Sequence, residues 1–137
     1  MNHSTSYGKV FIPDNEYLER VQRAAAILRR DGFDALIVNG TESDYANPRY
    51  FSGYWPLFER AGVAISARGD AALMCGPESR HFAEDRSRLD KVFVLKEYRE
   101  GANPQYPELV PDTYHDVFKA IGVTGNKLRI GIASFLD

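Results

Sequence analysis

Apolar residues recur at helical spacing from Tyr17 onward. Leu18, Val21, Ala25 and Leu28 lie three or four residues apart, and Tyr17, Ala24 and Ile27 widen the stripe. Glu19, Arg20, Arg23 and Arg30 fall on the outer side. The pattern predicts an amphipathic helix that starts behind Pro13, with Asp14 as its N-cap, and runs to about Asp31. Gly32 then suits the left-handed position that follows a helix. Ala35-Leu36-Ile37-Val38 is continuously apolar and is closed by Asn39-Gly40, the signature of a strand buried on both faces. Residues 1–12 are polar as far as Val10-Phe11-Ile12 and read as irregular.

Periodicity then breaks. Residues 41–60, TESDYANPRYFSGYWPLFER, mix aromatics with Asn, Pro, Gly and Ser and read as a structured loop region. Ala61 to Ala67 and Ala71 to Cys75 flank Arg68-Gly69-Asp70, the pattern of a β-hairpin with a glycine-containing turn. Gly76-Pro77-Glu78 opens a charged helix to about Leu89, with Phe82 and Leu89 as its sparse apolar contacts. Lys91 to Leu95 forms a strand, residues 96–112 are irregular, and residues 113–121 make a short helix with Val117, Phe118 and Ile121 inward, closed by Gly122. Leu128 to Ala133 is a last strand. Helix, strand, hairpin, helix, strand, helix, strand points to an α/β fold, a mixed sheet flanked by helices.

The chain has 137 residues, 44% hydrophobic and 26% charged, which suits one domain with a core of its own. Seventeen basic against nineteen acidic residues leave a net charge of -2. That balance argues against a dedicated nucleic-acid binder, which must neutralise phosphates with a basic face. No apolar run approaches the ~20 residues of a membrane helix, and MNHSTSYGKVFIPDNEY has neither the basic nor the apolar part of a secretory signal. The single Cys75 has no partner for an intramolecular disulfide, so the expected setting is the cytoplasm.

Little in the chain resembles catalytic machinery. His81, Glu84 and Asp85 share one side of a helix and could present metal ligands, although Arg80, Arg86 and Arg88 crowd the same helix and a solvated charged face explains it as well. His115 reads as a first-turn helix residue and His3 as part of a tail. Ser79, His81 and Asp85 lie on one short segment, which does not suit a triad. No GxGxxG or phosphate-binding loop occurs. Asn39-Gly40-Thr41 is a formal glycosylation sequon without a signal peptide, and Arg68-Gly69-Asp70 is accounted for as turn chemistry. What remains is a cluster of Tyr45, Tyr50, Phe51, Tyr54, Trp55 and Phe58 with Arg49, Glu59 and Arg60. Such a segment suits a ligand wall or an interface, or else a loop that folds its aromatics into its own core.

The series VQRAAAILRRDGFDALIV, NPRYFSGYW and FERAGVAISARGDAALMCGPES resembles the N-terminal domain of the creatinase, prolidase and aminopeptidase P family, from about Tyr17 to Ile132. Asn47-Pro48-Arg49-Tyr50-Phe51-Ser52-Gly53-Tyr54 is its most specific part. The resemblance implies a small α/β domain that precedes a larger pita-bread catalytic domain. In the peptidase branches that second domain holds two divalent metal ions, of manganese, cobalt or zinc type, so no metal or cofactor is expected in residues 1–137, which read as an N-terminal piece of a longer hydrolase. The family also implies a homodimer in which this domain reaches the substrate site of the other subunit. Phe58-Glu59-Arg60 resembles a Phe-x-Arg element of the creatinase pocket, with Glu in the middle position and a spacing one residue shorter. Tyr54, Trp55, Phe58 and Arg60 are thus the residues expected to line the partner's site, for a small peptide or a small amide. The parent is expected to be a Xaa-Pro aminopeptidase or dipeptidase. A creatinase-type amidinohydrolase and a free-standing binding module are the alternatives.

Overall fold

A computed structural model describes residues 11–101 and 109–133. The expectations for residues 1–10, including His3, and for much of the irregular stretch 96–112 lie outside the described residues. The first helix, α1, spans Asp14–Asp31. Asp14 is its first residue rather than its cap, which falls on Pro13. The helix ends as expected on Gly32, at φ 74°: the Gly32 N–H reaches Arg29 O and the Phe33 N–H reaches Leu28 O at 2.9 Å, a Schellman closure. Tyr17, Val21, Ala25 and Leu28 are buried. Leu18 and Ile27 are not, at 59% and 51% exposure, because the helix meets the sheet along a narrower stripe than its apolar residues describe.

Five strands follow: β1 (Ala35–Gly40), β2 (Ala61–Ser66), β3 (Ala71–Cys75), β4 (Val92–Val94) and β5 (Ile130–Ala133). They lie in the order β4-β3-β2-β1-β5. The β1–β2 and β2–β3 pairs are antiparallel, whereas β3–β4 and β1–β5 are parallel. The sheet is therefore mixed, as the element order implied. Arg68-Gly69-Asp70 closes the β2–β3 hairpin, with the Ser66 N–H on Asp70 O at 2.8 Å and the Gly69 N–H on Ser66 O at 3.0 Å.

β2 is central and buried at every residue. Its alternation feeds two cores. Val63 and Ile65 point with Leu73 and Cys75 into a core that includes Val21 and Leu28 of α1 and Ala83 of α3 (Arg80–Arg86). Ala64 points with Ala72 and Met74 to the other face, where Val117 of the last helix and Ile121 just after it close the layer. The result is a helix–sheet–helix sandwich.

Two segments depart from the sequence pattern. Residues 41–60 contain a helix, α2 (Ala46–Ser52), where a loop was expected. Pro48 sits in its first turn, a position that tolerates the missing N–H, and is buried. The charged helix after Gly76 is shorter than its pattern, a 3₁₀ turn over Pro77–Ser79 followed by α3. Phe82 and Leu89 nonetheless pack on the core as expected. The last helix, α4, spans Tyr114–Ala120 and is held at its start by a capping box in which Thr113 and Asp116 bond each other's backbone N–H. No helix among the described residues is long and apolar enough to cross a membrane.

Candidate functional site

The segment between α2 and β2 carries all four expected site residues and sends them to three places. Gly53 adopts φ 72° at the end of α2, where its N–H bonds Arg49 O at 2.8 Å, and this turns the chain back over the sheet. Ser52 locks the same corner: its hydroxyl donates to Pro48 O at 2.6 Å and accepts the Tyr54 N–H at 3.1 Å. The corner drives Tyr54 inward.

Tyr54 is fully buried, so its ring offers no surface to a neighbouring subunit, contrary to the expectation that it lines a site. Its hydroxyl donates to Glu59 Oε1 at 3.1 Å, and burial, reinforced by that carboxylate, pushes the phenol pKa up. Glu59 is itself buried, and its Oε2 has no hydrogen-bond partner. The departure from the Phe-x-Arg pattern noted in the sequence is therefore a core residue: Glu59 faces in while its two neighbours face out.

Phe58 is 66% exposed, and Arg60 is exposed without a hydrogen bond or ion pair among the described residues. Both line a cleft of about 290 Å³ with Thr41, Glu42, Ser43, Glu59, Arg99 and Glu100, so that two arginines share it with three glutamates. The floor is rigid. Thr41 Oγ1 accepts the N–H groups of Ser43 and Asp44 at 3.2 and 3.3 Å, a tight turn at the end of β1. A planar cation beside an exposed ring can hold a carboxylate or carbonyl and cover an apolar group.

Trp55 faces elsewhere. It lines a second cleft of about 540 Å³, bounded by α1, α2 and the end of α3, in which Arg20, Arg49, Arg86 and Arg88 meet Tyr17 and Tyr50. The Arg49 guanidinium lies 4.9 Å from the Trp55 ring centroid, and that of Arg20 lies 4.4 Å from the Tyr50 ring. Arg20 was expected on the outer face of α1. It is instead packed against α2, with a bond to Tyr50 O at 2.8 Å and an ion pair to Glu16 at 2.9 Å.

His81, Glu84 and Asp85 do not gather into a metal-binding group. His81 Nδ1 lies 3.6 Å from Glu84 on a side chain that is 97% exposed, and no group of three or more His, Cys, Asp or Glu among the described residues could hold an ion.

The sequence profile of the Creatinase/Prolidase N-terminal domain matches residues 20–137. The chain belongs to the creatinase/prolidase N-terminal domain family. The fold of this creatinase/prolidase N-terminal domain recurs in solved structures. The N-terminal creatinase/prolidase-like domain of a Corynebacterium diphtheriae protein superposes with a TM-score of 0.54 at 13% identity, covering 88% of this chain and 98% of that one. The prolidase of Pyrococcus horikoshii gives 0.51 at 16% identity, covering 85% of this chain and 32% of the other. Dipeptidase PepE of Mycobacterium ulcerans gives 0.51 at 13% identity, covering 89% and 36%. The chain thus spans the whole of an N-terminal domain and about a third of two larger peptidases. A search of curated protein sequences found no match.

Proposed function

We propose that this chain serves as the non-catalytic N-terminal domain of a Xaa-Pro aminopeptidase- or dipeptidase-type hydrolase, and that Phe58 and Arg60 wall the substrate site of a second subunit in a homodimer. The observation that carries this reading is the Arg60 guanidinium, without a hydrogen bond or ion pair among the described residues, beside an exposed Phe58 in the same cleft. Arg60 would orient a substrate carboxylate or carbonyl, and Phe58 would shorten the cleft so that only small peptides enter. Two divalent ions, of manganese, cobalt or zinc type, belong in this reading to a C-terminal catalytic domain, since the described residues supply no fitting ligand set. A buried free thiol at Cys75 suits a reducing cytoplasm. The exposed Phe58 and Arg60 also favour a second reading, a creatinase-type parent acting on a small amide.

The coding sequence beyond residue 137 and the kinetics of Arg60 test the proposal together. A following segment with Asp, His and Glu metal ligands is expected. In that longer protein Arg60→Ala should raise KM or lower kcat/KM by about tenfold or more, the range for a lost charged contact. Unchanged kinetics for Arg60→Ala and Phe58→Ala on short substrates would remove the gating role. A chain that stops at residue 137 and binds a ligand as a monomer would make it a free-standing binding module.

A further inference from the structure

The larger cleft, remote from Arg60, has a chemistry of its own. Every charged residue that lines it is an arginine: Arg20, Arg49, Arg86 and Arg88. The acidic groups that approach them stand at the rim. Glu16 pairs with Arg20 at 2.9 Å, Asp85 with Arg86 at 3.1 Å and Asp14 with Arg88 at 3.4 Å. Arg49 has no carboxylate partner among the described residues, only the rings of Trp55 and Tyr45.

These four side chains are not equivalent. Arg20 is packed between Tyr17 and Tyr50 and tied to backbone, so it is a fixed charge at the wall. The Arg86–Asp85 and Arg88–Asp14 pairs are solvent-exposed, and such pairs are worth little, so an incoming oxyanion can replace the carboxylate readily. Arg88 is nevertheless anchored, because its backbone N–H bonds Ser52 O at 2.8 Å and its stem packs against Gly53. Arg49 lies over the Trp55 ring at 4.9 Å, and its guanidinium makes no hydrogen bond or ion pair among the described residues. The volume, about 540 Å³, falls in the range of small-molecule sites.

We propose that this cleft binds a small organic anion carrying two or more phosphate or carboxylate charges, held by Arg49, Arg86 and Arg88 against the fixed charge of Arg20. Phosphate and carboxylate share this recognition, since both accept the planar fork of a guanidinium.

Trp55 is the only tryptophan in the chain and lines the cleft, so its fluorescence reports occupancy directly. The chain is titrated with inorganic pyrophosphate and, separately, with citrate at constant ionic strength, with calorimetry as the second readout. A saturable change is expected with at least one of them, at a Kd of about 1 mM or tighter. Arg49→Ala and Arg88→Ala should each weaken it about tenfold or more, while Arg60→Ala, in the other cleft, leaves it unchanged. Preference for pyrophosphate assigns a phosphate ligand, and preference for citrate a polycarboxylate. If Arg49→Ala fails to fold, Arg49→Lys keeps the charge without the fork and should weaken binding less than Arg88→Ala. Absence of saturation with both probes up to about 10 mM overturns the proposal, as does binding that survives in the Arg88 and Arg49 variants. Because Arg60 takes no part, failure here leaves the subunit-gating reading untouched.

Discussion

The Tyr54 hydroxyl and the Glu59 carboxylate meet at 3.1 Å inside the core, five residues apart, across the turn that carries Phe58 to the surface. The contact satisfies one carboxylate oxygen and leaves the other without a partner. Tyr54→Phe should therefore destabilise the fold by about 1–3 kcal/mol, by stranding a buried acceptor. Adding Glu59→Met should recover part of the loss, because removing both polar partners is milder than removing one. Urea denaturation of the single and double variants decides it. A Tyr54→Phe variant as stable as the parent would show that the bond contributes nothing.

Burial pushes the Cys75 thiol up to about 12 from an ordinary 9.0, and burial likewise raises the phenols of Tyr54 and Tyr98 above 10.0. All three are acids held neutral by the fold. Their contribution is complete below the unfolded values and is lost as pH rises past them, since the unfolded chain then releases protons that the folded chain retains. Unfolding free energy should be level near pH 8 and fall between pH 9 and 11, by up to ~1.4 kcal/mol per unit for each group fully engaged. A level profile to pH 11 would contradict this. Cys75 should also resist alkylation at pH 8 until the protein is unfolded.

On the opposite face of the sheet, Tyr114 donates to Tyr98 at 3.1 Å and Tyr98 to Asn39 Oδ1 at 2.7 Å. Gly62 of β2 makes room for this chain: a Cβ there would stand 2.6 Å from the Tyr98 oxygen and 2.8 Å from Asn39 Oδ1. Gly62→Ala should destabilise by about 1–3 kcal/mol through overpacking. Tyr98→Phe in the same background should relieve part of that strain. Strictly additive effects would show that the two groups do not press on each other.

Thr113→Ala removes the hydroxyl that caps α4 and should lower stability by about 1 kcal/mol. Its side chain and backbone hold the Asp116 carboxyl below the usual carboxylate range, so that contribution is present above pH 3.8 and is lost as pH falls through the lowered value. Amide exchange within Tyr114–Ala120 should quicken in the variant at neutral pH. The difference should shrink in acid.

The sheet and α1 were readable from the sequence because their signals are local: two apolar runs flanking Arg68-Gly69-Asp70 for β2 and β3, and a stripe closed by Gly32. The helix α2 was not. Seven residues containing Pro48 and two aromatics carry no clear period, and what holds the helix is tertiary, namely a buried Pro48 and the Ser52 back-bond to it. Phe58 and Arg60 stand out in the sequence through the resemblance of Phe58-Glu59-Arg60 to a Phe-x-Arg element, while Tyr54 and Trp55 beside them could not be sorted into core and cleft without the turn at Gly53. The arginine cleft was invisible for another reason. Its residues come from positions 20, 49, 86 and 88, which only the packing of α1, α2 and α3 brings together.

The parallel pairing of β1 with β5 joins Ala35 to Ile130 and Val38 to Ala133. On a ribosome, the β1–β2–β3 meander can form from neighbouring residues, but the flank of β1 next to β5 stays open until the chain has been made past residue 133. At about 5–20 residues per second that interval is on the order of several seconds. For that time the nascent domain presents the backbone N–H and C=O groups of an otherwise apolar strand to its surroundings. Its moment of greatest exposure to mispairing or to a chaperone therefore falls in synthesis, before the last strand arrives to seal the sheet.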